Sequence, residues 1–125
     1  DLHVDVPAVR YDELRGLGNG ESSASIRARV EAARARQRER LAERGLQCNA
    51  QMGAREIQEL CTVDEASHRL LERVVDRLGM SARAYARILK VARTIADLDA
   101  ARSIESKHVA EAIQYRKLDR QQASA

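Results

Sequence analysis

An all-α bundle of about five helices is the fold this sequence predicts, on three observations. The first is composition: Arg, Ala and Glu are abundant, Pro7 is the only proline, and Phe and Trp do not occur. Such a mixture favours helix and leaves the core to be built from Leu, Ile, Val and Ala. The second is periodicity, with apolar residues recurring at helical spacing over residues 70–78, 85–96 and 109–113. The third is punctuation. Gly45 and Gly79 stand where helices must stop, and Ser22 and Ser81 stand where they can start. A length of 125 residues suits one domain with a modest core.

Taken in order, residues 1–7 alternate polar and apolar side chains, which is the strand period, with Leu2, Val4 and Val6 on one face. Pro7 fits a strand end because it has no N–H for a ladder. One short strand without a partner reads as a detached piece of a sheet that belongs to a larger domain. Residues 9–14 read as a helical turn, and the Gly-rich residues 16–22 as a linker.

The next helix is capped by Ser22 or Ser23, runs to about Arg44 and stops at Gly45. Its apolar stripe is thin: Ile26, Val30, Ala33 and Leu41, with Gln37 in the gap. Arg27, Arg29, Arg34, Arg36, Arg38, Arg40 and Arg44 cover the rest, offset by Glu31, Glu39 and Glu43. A solvated helix laid over a core accounts for that pattern. A surface for DNA phosphate or for a neighbouring subunit, centred on Arg27, Arg34 and Arg38, also accounts for it. No aromatic residue interleaves with the arginines, so base stacking is not expected there.

Residues 47–52 form a connector, and residues 54–61 a short helix that buries Ile57, Leu60 and Cys61. Thr62 and Glu65 fit a capping box for the helix that follows. That helix carries Leu70, Leu71, Val74, Val75 and Leu78 on one side and ends at Gly79. A short turn to Ser81 predicts that the next helix packs against it as a hairpin. On this next helix Tyr85, Ile88, Leu89, Ala92, Ile95 and Ala96 share the core face, while Arg83, Arg87, Lys90, Thr94 and Asp97 share the polar one. Arg83 falls in the first turn, beside N–H groups that lack helical partners, a place suited to a phosphate. Residues 99–103 make a turn anchored by Ile104. Glu105 or Ser106 opens the last helix, with Val109, Ala112 and Ile113 inward, and residues from Lys117 on read as a frayed tail.

Several chemistries are excluded. No glycine-rich loop ends in Lys-Ser/Thr, and no Ser/His/Asp or Cys/His set stands out. His3, His68, His108, Cys48 and Cys61 form no set at metal-ligand spacing, so no metal is expected. Two cysteines, no signal sequence and no apolar run of membrane length read as reduced thiols in a cytoplasmic protein with no membrane contact. The net charge of +3 permits polyanion contact without requiring it.

Three stretches resemble one family. Ser-Ala-Arg-Ala-Tyr-Ala-Arg-Ile-Leu-Lys-Val-Ala-Arg-Thr-Ile-Ala-Asp-Leu at residues 81–98 is similar to the lid helix of the magnesium chelatase branch of AAA+ ATPases, above all the ComM-type Mg chelatase-like proteins. Asn-Ala-Gln-Met at residues 49–52 and the Ser-Ile-Glu-x-x-His-Val segment opening at Ser103 resemble other parts of the same lid. Residues 1–7 resemble the last strand of the ATPase core. The resemblance implies a core remnant and linker at residues 1–20, a helical lid at residues 21–118 and a frayed tail at residues 119–125.

It further implies that Arg83 is the sensor 2 arginine that reads the nucleotide phosphates, with Arg87 as an accessory. ATP and Mg²⁺ then belong to the full-length protein, whose N-terminal ATPase core supplies the phosphate loop. The isolated chain would carry no catalytic residue and hydrolyse no ATP. Neighbouring subunits of a homo-hexamer and DNA are the implied partners, and branch-migrating helicase activity the implied function. A true magnesium chelatase lid, or a free-standing Arg-rich module that binds DNA or protein, are the alternatives.

Overall fold

The computed structural model describes residues 2–4 and 20–116. The turn expected at residues 9–14, most of the linker and the tail from Lys117 lie outside the described residues. Five α-helices follow one another: α1 (Ser23–Leu41), α2 (Ala54–Leu60), α3 (Glu65–Leu78), α4 (Ala82–Leu98) and α5 (Ser106–Gln114). Two 3₁₀ turns, Ala42–Arg44 and Asn49–Gln51, join α1 to α2. No sheet forms among the described residues. A single parallel bridge between Val63 and Ile104 ties the loop before α3 to the loop before α5.

The helix limits follow local chemistry. The Ser25 N–H donates to Ser22 Oγ at the start of α1 (3.1 Å), and Gly45 closes the 3₁₀ turn after it at φ 70°, a conformation that is cheap for glycine alone. Gly79 ends α3 in the same way, at φ 60°. The cap of α3 differs from the expectation: Asp64 rather than Thr62 accepts from the Ser67 N–H (2.8 Å). A carboxylate at this position also favours the positive end of the helix dipole. Ser67, through its hydroxyl and then its backbone N–H, holds the Asp64 carboxyl below its ordinary range. At α5, the Glu105 N–H donates to Nδ1 of His108 (2.9 Å), as in a capping box.

The core is centred on α4. Ile88, Leu89, Ala92 and Ala96 pack with Leu41, Met52, Ile57, Cys61, Leu71, Ile104, Val109 and Ala112. Ala92 and Ala96 are fully buried, and their small side chains let α1 and α5 approach the α4 backbone. Each buried Leu or Ile contributes roughly 1.5–3 kcal/mol. Burial pushes the Cys61 thiol up to about 11, so it behaves as a small core hydrophobe. Ile95 and Ile113, expected in the core, are half-buried against it.

Two expectations are corrected. The helices α3 and α4 do not close as a tight hairpin. Instead α3 packs chiefly on α5; Leu71 is buried in the core, and Leu70, Val74 and Leu78 are half-buried. Residues near the turn, Ser81 and Ala82, are too short to fill the space between α3 and α4. Second, the polar face of α4 is not solvated along its length. Asp97 is fully buried, because α1 and the Asn49–Gln51 turn cover it.

Residues 2–4 take no regular structure, but they are not detached from the bundle. The His3 N–H donates to the Tyr115 carbonyl (3.0 Å), while Leu2 and Val4 remain exposed. Among the described residues no helix is long and apolar enough to cross a membrane.

Candidate functional site

Arg83 occupies the first turn of α4 and is exposed. The turn is well defined: the Ala84 N–H donates to Ser81 Oγ (3.1 Å), and the Tyr85 N–H to the Ser81 carbonyl (3.0 Å). The amides of Ala82 and Arg83 precede the first helical hydrogen bond, so they point out of the helix end. A guanidinium and two outward amides at the positive end of a 17-residue helix form an arrangement suited to phosphate oxygens. Arg87, one turn on, is half-buried and already engaged in an interaction of its own. It is therefore not equivalent to Arg83.

Behind the helix end, the gap between α3 and α4 forms an open cleft of about 420 Å³. Its α3 wall carries His68, Glu72 and Asp76 at four-residue spacing, and Met80 and Tyr85 contribute apolar surface. Two carboxylates on this wall oppose an anion inside the cleft.

The arginines of α1 divide into two sets that sequence alone did not separate. Arg27, Arg34 and Arg38 are exposed and share one flank of the helix at about 100° per residue. Arg36 and Arg40 turn inward. Arg36 Nη1 donates to the Asp97 carbonyl (2.8 Å), and Arg40 grips the Asp97 carboxylate with both Nη atoms, at 2.9 and 2.7 Å. Asn49 Nδ2 donates to the same carboxylate (3.0 Å) and to Thr94 Oγ1 (3.0 Å). Arg93 completes the cluster, with Nη2 3.2 Å from Asp97 Oδ1 and donor bonds to the carbonyls of Ala101 and Arg102. Burial pulls the Arg93 guanidinium below its ordinary range, and the Asp97 charge partly opposes that shift.

Sequence reasoning missed this cluster because Arg36, Arg40, Arg93 and Asp97 are charged and Asn49 and Thr94 polar. Gln37 was the available signal. A polar residue inside an apolar stripe needs a buried partner, and Gln37 Oε1 accepts from the Asn49 N–H (2.9 Å).

Asp99, Glu105 and His108 bring three possible metal-ligand atoms together. The geometry describes hydrogen bonding instead. His108 Nδ1 accepts from a backbone N–H, which places the ring proton on Nε2, 2.9 Å from Asp99 Oδ2. His108 and then Lys107 hold the Asp99 carboxyl below its usual range.

The family described as magnesium chelatase, subunit ChlI C-terminal, matches residues 20–116. The chain is 40% identical over 121 residues to competence protein ComM of Haemophilus influenzae, a match covering 96% of the chain and 23% of that relative. It is 46% identical to the uncharacterized protein YifB of Salmonella typhimurium and 44% identical to YifB of Escherichia coli, with the same coverage. The chain thus spans about a quarter of the length of the relatives it matches.

Proposed function

Because this chain belongs to the family of magnesium chelatase subunit ChlI C-terminal regions, we propose that it is the lid of a Mg chelatase-like AAA+ ATPase. In this reading Arg83 meets the phosphates of ATP held by a preceding ATPase core. One observation carries it: Arg83 stands exposed on the first turn of a well-capped α4, with no side-chain partner among the described residues. The donors at this helix end fit phosphate oxygens. The phosphate loop, the groups that hold Mg²⁺ and the water-activating carboxylate are assigned to the core. Closure of the lid would exclude water and bring the guanidinium to the developing charge.

Of the two family readings, a DNA-acting ATPase is favoured over a true magnesium chelatase, since one relative is a competence protein. The outward line of Arg27, Arg34 and Arg38 supports DNA or subunit contact. Sequence-independent binding that weakens steeply with salt would support the DNA form of it.

The test is Arg83→Ala in the full-length protein. Removing a guanidinium that stabilises transition-state charge lowers kcat by about a hundredfold. The unfolding midpoint stays within about 0.5 kcal/mol of the parent, as for an ordinary surface change. Arg83→Lys recovers only part of the rate, because an ammonium lacks the planar fork. Arg73→Ala, on the exposed face of α3, is the control; Arg87 is unsuitable, since it is half-buried and already engaged in an interaction of its own. Hydrolysis at the parental rate in Arg83→Ala removes the sensor assignment.

A further inference from the structure

Every residue of α1 from Ser23 to Ala32 is exposed, and burial starts at Ala33. At about 1.5 Å per residue, roughly 15 Å of helix projects beyond the bundle. The projecting half is not uniformly polar. Ile26 and Val30 continue the same stripe as Ala33, Gln37 and Leu41, yet they are 44% and 45% exposed. Ten residues of isolated helix are marginal in water, and no described residue of the bundle covers these.

The direction of the projection points to its partner. Arg36 binds the carbonyl of Asp97, so α1 leaves the bundle at the carboxyl end of α4. Leu98, at that end, is also exposed, and it shares a groove of about 370 Å³ with Leu2, Val4, Lys90 and Tyr115. The five large hydrophobic residues exposed among the described residues are Leu2, Val4, Ile26, Val30 and Leu98. All five belong to these two neighbouring features. The described residues that precede α1 in the chain, residues 2–4, already rest on this end through the His3–Tyr115 bond. In the relatives, roughly three quarters of the length lies outside the region matched, and the family is by description a C-terminal unit. In the lid reading that mass precedes residue 1 in the same polypeptide, which raises its effective concentration at this surface.

We propose that the carboxyl end of α4, together with the projecting half of α1, is the surface on which the preceding part of the same polypeptide docks, with Ile26 and Val30 as the apolar anchors. The proposal rests on the reading of this chain as the C-terminal lid of a longer protein.

Backbone hydrogen exchange tests it, comparing the full-length protein with the 125-residue chain across a dilution series. Amides of residues 23–32 are expected to exchange at least about tenfold more slowly in the full-length protein, at every concentration, because docking suppresses local opening. In full-length Ile26→Asp/Val30→Asp, fast exchange returns at residues 23–32, while the buried α4 amides around Ile88 and Ala92 keep their protection. Equal exchange in the two proteins overturns the proposal. Protection that disappears on dilution assigns the surface to a second copy and also overturns it. A full-length protein with Arg83-dependent hydrolysis but an unprotected α1 loses this surface and keeps the lid. Protected anchors with no effect of Arg83→Ala leave the surface standing without the nucleotide reading.

Discussion

Replacing Asp97 with asparagine keeps the size and shape of the side chain and removes one charge from the middle of the bundle. In the parent the carboxylate accepts from four donors: Oδ1 from Arg40 and Arg93, Oδ2 from Arg40 and Asn49. An amide has one acceptor oxygen, so whichever way it is turned two of those donors face an NH₂ group. Removing one partner of a buried ion pair typically costs 3–5 kcal/mol, since the remaining charges are left uncompensated. The Arg40 side chain is 21% exposed and that of Arg93 5%. Solvent therefore relieves part of the Arg40 loss and little of the Arg93 loss, which places the expected cost near the lower end, about 3 kcal/mol. Urea unfolding followed by circular dichroism reads this directly. With a slope of about 2 kcal/mol per molar, the midpoint falls by about 1.5 M. Asp76→Asn, on the exposed face of α3, leaves the midpoint in place. A midpoint within about 0.3 M of the parent in Asp97→Asn would refute the argument, because the arginines would then have found equal partners in solvent.

Two further outcomes are expected. Ala100 is the only described non-glycine residue at positive φ, 57°; Ala100→Gly relieves a strain of about 1–2 kcal/mol against about 0.4–1 kcal/mol of added unfolded-state entropy, so a thermal melt should show equal or higher stability, never a loss. The second outcome concerns acid. Hydrogen bonds or ion pairs hold Glu21, Glu59, Asp64 and Asp99 below their ordinary values of 3.8–4.5. Their folded forms therefore bind fewer protons than the unfolded chain, and their contribution is complete above that range and lost as pH falls through the lowered values. The melting temperature should stay level from pH 7 to about pH 5 and drop only below about pH 4.

What could be read in the sequence was the chemistry that is settled within a few residues. Ser22, Ser81, Gly45 and Gly79 do in the structure what their side chains, or the lack of one, predict. The core face of α4 follows from spacing alone, and so does the exposure of Arg83. Contacts distant in the chain were not legible. Asp97 and Arg40 are 57 residues apart, and each by itself looks like a surface charge on an amphipathic helix. Where two caps compete, as Thr62 and Asp64 do, the choice depends on where the chain enters the helix, which tertiary packing sets. The short Gly79–Met80 turn shows that α3 and α4 are adjacent but not that they touch. Their divergence is decided by tertiary packing, since α3 packs chiefly on α5.

The clamp on Asp97 and the exposed Arg83 lie at opposite ends of the same helix, 14 positions apart. At about 1.5 Å per residue this is an arm of roughly 21 Å. No proline or glycine interrupts it, so it has no built-in hinge. A tilt of about 10° about the Asp97 end sweeps the Arg83 backbone through about 4 Å, more than the length of a hydrogen bond. The fulcrum is held by three guanidiniums, those of Arg36, Arg40 and Arg93, and by the Asn49 amide, and the other end carries the exposed Arg83. Small rotations at a stiff pivot are thereby geared into the making or breaking of a single polar contact at the tip.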